Sequence, residues 1–264
     1  MKRKNGFTNC IVLGTAFLLL FQALTLSGCR IILVDPGESL TGTAAESSSV
    51  LYTYRIDIEP YRAAMYTTDS ACLVLVNKSH TVGAEYAPDR LSRLDGSLTL
   101  GGKEVLMQSA AAQAAEALVR ELWAYGWTDI HITSGYRTYS YQSSLFNGYI
   151  ADERSAHPAW TYEQAVEQVL TYSARPGTSE HQTGLCMDLI AESDPVLDES
   201  FAEQACYGWL EKNAHKFGFI LRFPDGMENI TGYNYEPWHY RFVGVEAATE
   251  IYQRGITLEQ YLGQ

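Results

Sequence analysis

Apolar and polar positions fall into three regimes along the chain. From Cys10 to Leu26 the residues are apolar, broken only by Gly14, Thr15, Gln22 and Thr25. From Pro36 to Ser49 the chain is mostly Gly, Ser, Thr, Ala and Glu, a composition with too little apolar surface for a core. From about Ala71 onward, short apolar runs alternate with segments of helical period. Cys72–Val76 reads as a short buried strand ended by Asn77. Leu106–Tyr125 is alanine-rich with apolar residues at helical spacing, and Gly126 follows as a stop signal. Asp129–Thr133 alternates like a half-buried strand, and Ser134-Gly135-Tyr136-Arg137 breaks it. Further helices are expected at Tyr139–Ile150, Thr161–Tyr172, Glu203–Lys216, Glu246–Arg254 and Leu258–Leu262. Further strands are expected at Gly184–Ile190, Phe219–Phe223 and His239–Val243, with a turn at Pro176-Gly177. Helices of unequal length without regular βαβ alternation, and no internal repeat, predict an α+β domain: a small central antiparallel sheet flanked by helices.

Charge changes the picture of partners. With 19 Lys plus Arg against 31 Asp plus Glu, the formal net charge is −12. The chain lacks the basic footprint that phosphate backbones require, so no nucleic acid is expected as a partner. Lys2, Arg3 and Lys4 precede the apolar run, the arrangement of an export signal. That run ends in Leu26-Ser27-Gly28-Cys29, which resembles the lipobox of bacterial lipoproteins. The expectation is a signal peptide over 1–28 and a lipidated tether over 29–50 beginning at Cys29. A tyrosine-rich arm then spans 51–70, and a folded domain spans 71–264. An ordinary cleaved signal or an uncleaved anchor helix are the other readings, and all three export the domain. A flexible tether of about 20 residues has a reach of roughly 25 Å. The expected location is therefore extracytoplasmic, at the bacterial membrane. The arm carries Tyr52, Tyr54, Tyr61 and Tyr66, and reads either as a packed arm or as a binding segment. Beyond Cys10 and Cys29 the cysteines are Cys72, Cys186 and Cys206, with no CxxC spacing. A disulfide scaffold or cysteine zinc knuckle is not indicated.

Several hydrolase signatures are absent. No Ser-x-x-Lys occurs, no Gly-x-Ser-x-Gly elbow, and no His-Glu-x-x-His. A different metal arrangement is present in two pieces, Ser179-Glu180-His181-Gln182-Thr183-Gly184-Leu185-Cys186-Met187-Asp188 and Glu236-Pro237-Trp238-His239. His181, Asp188 and His239 make a three-ligand set, and catalytic zinc takes three protein ligands with a fourth position for water. Glu236 lies three residues before His239, placed to move a proton without being a ligand. On spacing alone the same residues also read as unrelated surface groups and a packed Trp-His step.

The surrounding residues resemble the VanY-type D-alanyl-D-alanine carboxypeptidases, of the wider zinc D,D-peptidase group. The matching pieces are Leu75-Val76-Asn77-Lys78 with Tyr86-Ala87-Pro88, Thr133 to Thr138 with Gln142, and Pro176 to Leu185. To these are added Gly218 to Pro224, and Thr231-Gly232-Tyr233 through Glu236 to Arg241. The resemblance implies a hedgehog/D,D-peptidase-like fold, one Zn2+, and peptidoglycan stem peptides as substrate. It implies zinc ligands at His181, Asp188 and His239, a catalytic base at Glu236, and an oxyanion-stabilising arginine at Arg137. Ser179 and Gln142 match positions that contact the terminal residue of the peptide. The implied activity is release of the terminal D-alanine. The alternatives are an L,D-carboxypeptidase acting on tetrapeptide stems, an endopeptidase, and a catalytically idle peptidoglycan-binding lipoprotein. Trp238 is expected to orient His239. His80, His131, His157 and His215 match nothing catalytic. The sequence departs from the family at Cys186, where the usual residue is small, commonly alanine. On a strand Cys186 faces the same way as Asp188, either as a small buried residue or as a thiol near the metal.

Overall fold

A central sheet with two unlike faces organises the protein. The computed structural model describes residues 52–264; the expected signal peptide, Cys29 and the tether lie outside the described residues. Strands β1 (Leu91–Arg93) and β2 (Leu106–Gln108) form a small antiparallel ribbon. β3 (Ile130–Ser134), β4 (Cys186–Ala191), β5 (Phe219–Leu221) and β6 (His239–Phe242) form an antiparallel sheet in the order β3-β4-β6-β5. Around them lie α1 (Glu59–Met65), α2 (Ser109–Ala124), α3 (Tyr139–Ala156), α4 (Tyr162–Val169), α5 (Tyr207–Asn213), α6 (Glu228–Thr231), α7 (Val245–Arg254) and α8 (Leu258–Tyr261). Among the described residues no helix is long and apolar enough to cross a membrane.

Side chains alternate across a strand, and register therefore sorts the sheet into an oily face and a polar one. Met187 pairs with Tyr240, Ile132 with Leu189, and Phe219 with Phe242. All six are buried in the main core, with the alanines and leucines of α2. Ala111, Ala114 and Ala115 are fully buried there, and their short side chains let α2 lie close on the sheet. On the opposite face Cys186 pairs with Arg241, and Ser134, Asp188 and His239 stand in line across three strands. The β3–β4 register shifts between Ile132 and Ser134, a bulge that turns Ser134 onto the polar face. Slipping β4 by one residue would exchange Asp188 for an apolar neighbour, so core burial and site geometry fix the same register.

The expected strand at Cys72–Val76 does not form. Ser70–Leu73 is a 3-10 turn capped by Asp69, and the following residues pair with no strand. The run is apolar because Leu73 and Leu75 pack on the α7–α8 cluster, while Cys72 and Val74 offer their carbonyls to Arg241. The helix expected from Leu106 begins at Ser109, since Leu106–Gln108 pairs with β1 instead. The helix expected over Glu203–Lys216 is broken into the short α5 between two 3-10 turns. The tyrosine-rich residues belong to the same compact unit as the rest of the described chain. The fully buried carboxylate of Glu121 on α2 accepts from Tyr52 Oη (3.0 Å), Arg55 N (3.0 Å) and Ile56 N (3.1 Å). Tyr54 stacks edge-on against Phe217.

Candidate active site

His181 is placed by backbone. It sits in a 3-10 turn, Glu180–Thr183, that Gly184 closes with φ 67°. Its ring Nδ1 lies 2.6 Å from the Gly135 carbonyl and must donate to it, which turns Nε2 toward the sheet. Arg137 N binds the His181 carbonyl at 3.0 Å, locking the β3–α3 loop to this turn. Asp188 projects from the middle of β4. His181 Nε2 lies 3.2 Å from Asp188 Oδ2, and His239 Nδ1 lies 3.0 Å from Asp188 Oδ1. All three are at least 96% buried. Glu236 closes the group from the loop before β6, its Oε2 3.7 Å from His239 Nδ1.

These residues sit in a cleft of about 420 Å³, lined also by Arg137, Gln142, Ser179, Tyr233, Glu236 and Trp238. The sequence-predicted ligands, base, arginine and substrate contacts therefore meet in one place. His80, His131, His157 and His215 are not among its walls; His157 stacks on Trp160 and His215 on Tyr252. Arg137 bonds Asp188 Oδ2 (2.8 Å) through Nη2 and Ser134 Oγ (3.0 Å) through Nε. Gln142 donates Nε2 to the Ala174 carbonyl at 2.8 Å, and its buried Oε1 has no partner within the protein.

Two imidazoles and a carboxylate are donors that zinc takes. Each histidine nitrogen stands near a different oxygen of Asp188, at 3.2 and 3.0 Å, about the spacing of neighbouring ligands around a tetrahedral ion of that size. Without an ion, the same groups pair with one another as charges. Burial opposes the charge on Asp188, but His181, His239 and Arg137 hold its carboxyl well below the usual range. Burial and Arg137 push the His181 imidazolium down, yet Asp188 and Cys186 outweigh them and lift it to about 9. Burial raises Glu236 to about 7, with Asp188 adding to it against His239, His181 and Arg137. The Cys186 thiol, also raised by burial, is brought down to about 7 by the two imidazoles.

Glu180 is the functional residue that the sequence reading passed over. Its Oε1 accepts from Arg222 Nε (2.8 Å) and Arg241 Nη1 (2.7 Å), and its Oε2 faces His239 Nε2 at 3.7 Å. Arg222 continues to Glu259 of α8 at 2.6 Å. Nothing local signals this role, because the partners are 37 to 61 residues apart in the chain.

Gly135 supports His181 from below, and a Cβ there would lie 2.5 Å from the Leu106 carbonyl and 2.8 Å from Val105 Cγ1. Gly135→Ala is expected to displace the carbonyl that orients His181 and to weaken zinc binding about 10- to 100-fold. Competition with a chromophoric chelator measures this, and unchanged affinity would contradict it.

Residues 104–245 match the family model described as VanY: D-alanyl-D-alanine carboxypeptidase. YodJ of Bacillus subtilis, which bears a carboxypeptidase name, is 36% identical over 194 residues, covering 72% of this chain and 66% of that protein. A D-alanyl-D-alanine carboxypeptidase of Enterococcus faecalis is 43% identical over 131 residues, covering 50% of this chain and 46% of that protein. The chain thus spans two thirds or less of the length of these curated relatives. Among solved structures, the LdcB LD-carboxypeptidase superposes with a TM-score of 0.63 at 34% identity, over 73% of this chain and 86% of the other. The D,D-pentapeptidase VanY of a VanB-type resistance cassette, in complex with Zn(II), gives 0.61 at 34% identity, over 73% and 99%.

Proposed function

The chain belongs to the VanY family of D-alanyl-D-alanine carboxypeptidases, and from that premise we propose that it removes the terminal D-alanine from peptidoglycan stem peptides with one zinc ion. The observation that carries this reading is a proton-carrying carboxylate, Glu236, set beside three buried donors on the wall of a cleft. His181, Asp188 and His239 would hold the zinc, whose contribution is Lewis acidity toward the scissile carbonyl and toward water. Glu236 takes a proton from the attacking water and returns it to the departing amine, a role suited to a carboxyl on the cleft wall beside the three donors. Arg137 reaches the cleft from the β3–α3 loop and supplies a fixed positive charge where negative charge develops on the carbonyl oxygen. Gln142 Oε1, buried on the cleft wall without a protein partner, is placed to accept an N–H of the bound peptide. Ser179 lines the same wall, at the start of the turn that carries His181.

Structural similarity to an LD-carboxypeptidase favours release from tetrapeptides as the second reading. The full chain is assayed for D-alanine release from pentapeptide and tetrapeptide stems, with and without a zinc chelator. Chelator-sensitive release from pentapeptide is expected. Release mainly from tetrapeptide moves the assignment to the L,D type, and no release from either with zinc bound overturns it.

We further propose that the domain works outside the membrane, tethered through lipid on Cys29. Lys2 to Lys4, the apolar run and Leu26-Ser27-Gly28-Cys29 support this. Cys29→Ser should abolish labelling by a radioactive fatty acid and release the protein from the membrane fraction.

A further inference from the structure

Cys186 brings a sulfur to the polar face of the sheet. It lies two residues from Asp188 on β4, and strand alternation points both side chains the same way. The donor atoms of His181, Cys186 and His239 all lie within 4.8 Å of one another, and all three residues are buried. Cys186 forms no disulfide, and His239 keeps a buried ring nitrogen without a hydrogen-bond partner.

The two histidines therefore belong to two donor sets. One is completed by the Asp188 carboxylate, a hard oxygen ligand. The other is completed by the Cys186 sulfur, a soft one. Affinity follows ligand softness, and thiolates select thiophilic ions over oxygen-preferring ones. Asp188 has an alternative partner when it is not a ligand, since Arg137 already bonds its Oδ2 at 2.8 Å.

We propose that His181, Cys186 and His239 form a second coordination set that captures thiophilic divalent ions such as cadmium through the Cys186 thiolate. As the metal–sulfur bond forms, the thiol loses its proton to solvent and nothing is oxidised or reduced. The ion enters by the catalytic cleft, whose walls include both histidines, so capture displaces zinc. The set shares its histidines with the zinc site of the proposed function and rests on that reading only for what is displaced.

Cadmium itself is the probe. The full chain is loaded with one equivalent of Cd(II) and examined by X-ray absorption and by the ultraviolet thiolate-to-cadmium charge-transfer band. One sulfur neighbour per ion is expected in the unaltered chain and in a chain whose Cys10, Cys29, Cys72 and Cys206 are all Ser. It should be absent in Cys186→Ser and Cys186→Ala, with Cd(II) affinity at least roughly tenfold lower. Cadmium bound through nitrogen and oxygen alone in the unaltered chain would overturn the proposal without any variant needing to fold. Sulfur ligation that persists in Cys186→Ser would overturn it equally. Binding of zinc without binding of cadmium defeats this inference and leaves the zinc reading standing. Binding of neither defeats both.

Discussion

Replacing Glu236 with Gln is expected to lower kcat for D-alanine release by roughly 10²- to 10⁴-fold while zinc stays bound, the span attributed to a positioned acid–base group. The substitution keeps volume and hydrogen-bonding atoms but removes the ability to carry a proton. The backbone around it is independently held: Glu236 N donates to the Phe223 carbonyl and His239 N to the Glu236 carbonyl, each at 3.1 Å. The metal donors should therefore stay in place, and zinc content measured beside kcat separates loss of the proton carrier from loss of the ion. Full activity in a zinc-loaded Glu236→Gln protein would remove Glu236 from the mechanism. The same carboxyl makes a second prediction, for the metal-free fold. Burial raises it from an ordinary 4.5 to about 7, so between those values the folded state binds more proton than the unfolded one, and stability falls as pH rises through that window. At roughly 1.4 kcal/mol per pH unit, the carboxylate costs about 3 kcal/mol above pH 7 and nothing below pH 4. Metal-free Glu236→Gln should thus be more stable than the unaltered chain at pH 8 and equal to it at pH 4, by urea denaturation. The reverse order would show that partial burial on the cleft wall does not raise the carboxyl.

Glu180→Ala is expected to cost about 3–5 kcal/mol of stability, the amount associated with breaking a buried ion pair from one side. Against a total of roughly 5–15 kcal/mol for a domain, that is a large share. Arg222 and Arg241 are both fully buried and both bonded to one oxygen of Glu180. Burial alone would favour the neutral acid, but the two guanidinium groups hold its carboxyl far below the usual range. Without it Arg222 retains Glu259, whereas Arg241 retains only the carbonyls of Cys72, Val74 and Phe242. Glu180→Gln keeps an acceptor and should cost less. Zinc affinity should fall with stability, because the second carboxylate oxygen faces the ring of His239 from behind. A loss under 1 kcal/mol would mean that water replaces the carboxylate at the arginines.

The parts of the fold legible in the sequence are those where one residue's neighbours in space are also its neighbours in pattern. β3 was readable because Ile130 and Ile132 alternate with half-exposed residues, and β6 because His239–Phe242 is flanked by the chemistry of its own motif. The misplaced strand at 72–76 shows the limit. An apolar run satisfies two demands, ladder pairing or packing, and Leu73 and Leu75 serve the second. Leu106–Gln108 hid its strand pairing because its residues suit a helix equally well. In the site, the motif singled out His181, Asp188, Glu236 and His239, which the fold brings side by side, and strand alternation gave the orientation of Cys186. Glu180 was not singled out, since its meaning resides in Arg222, Arg241 and Glu259, and no local period links them.

That chain of charges also ties the last helix to the site. Glu259 of α8 holds Arg222, Arg222 holds Glu180, and Glu180 faces the ring of His239. No residue of α8 lines the cleft. Trimming the carboxyl end back past Glu259 would therefore loosen a metal donor from a distance, by leaving Arg222 with one carboxylate instead of two.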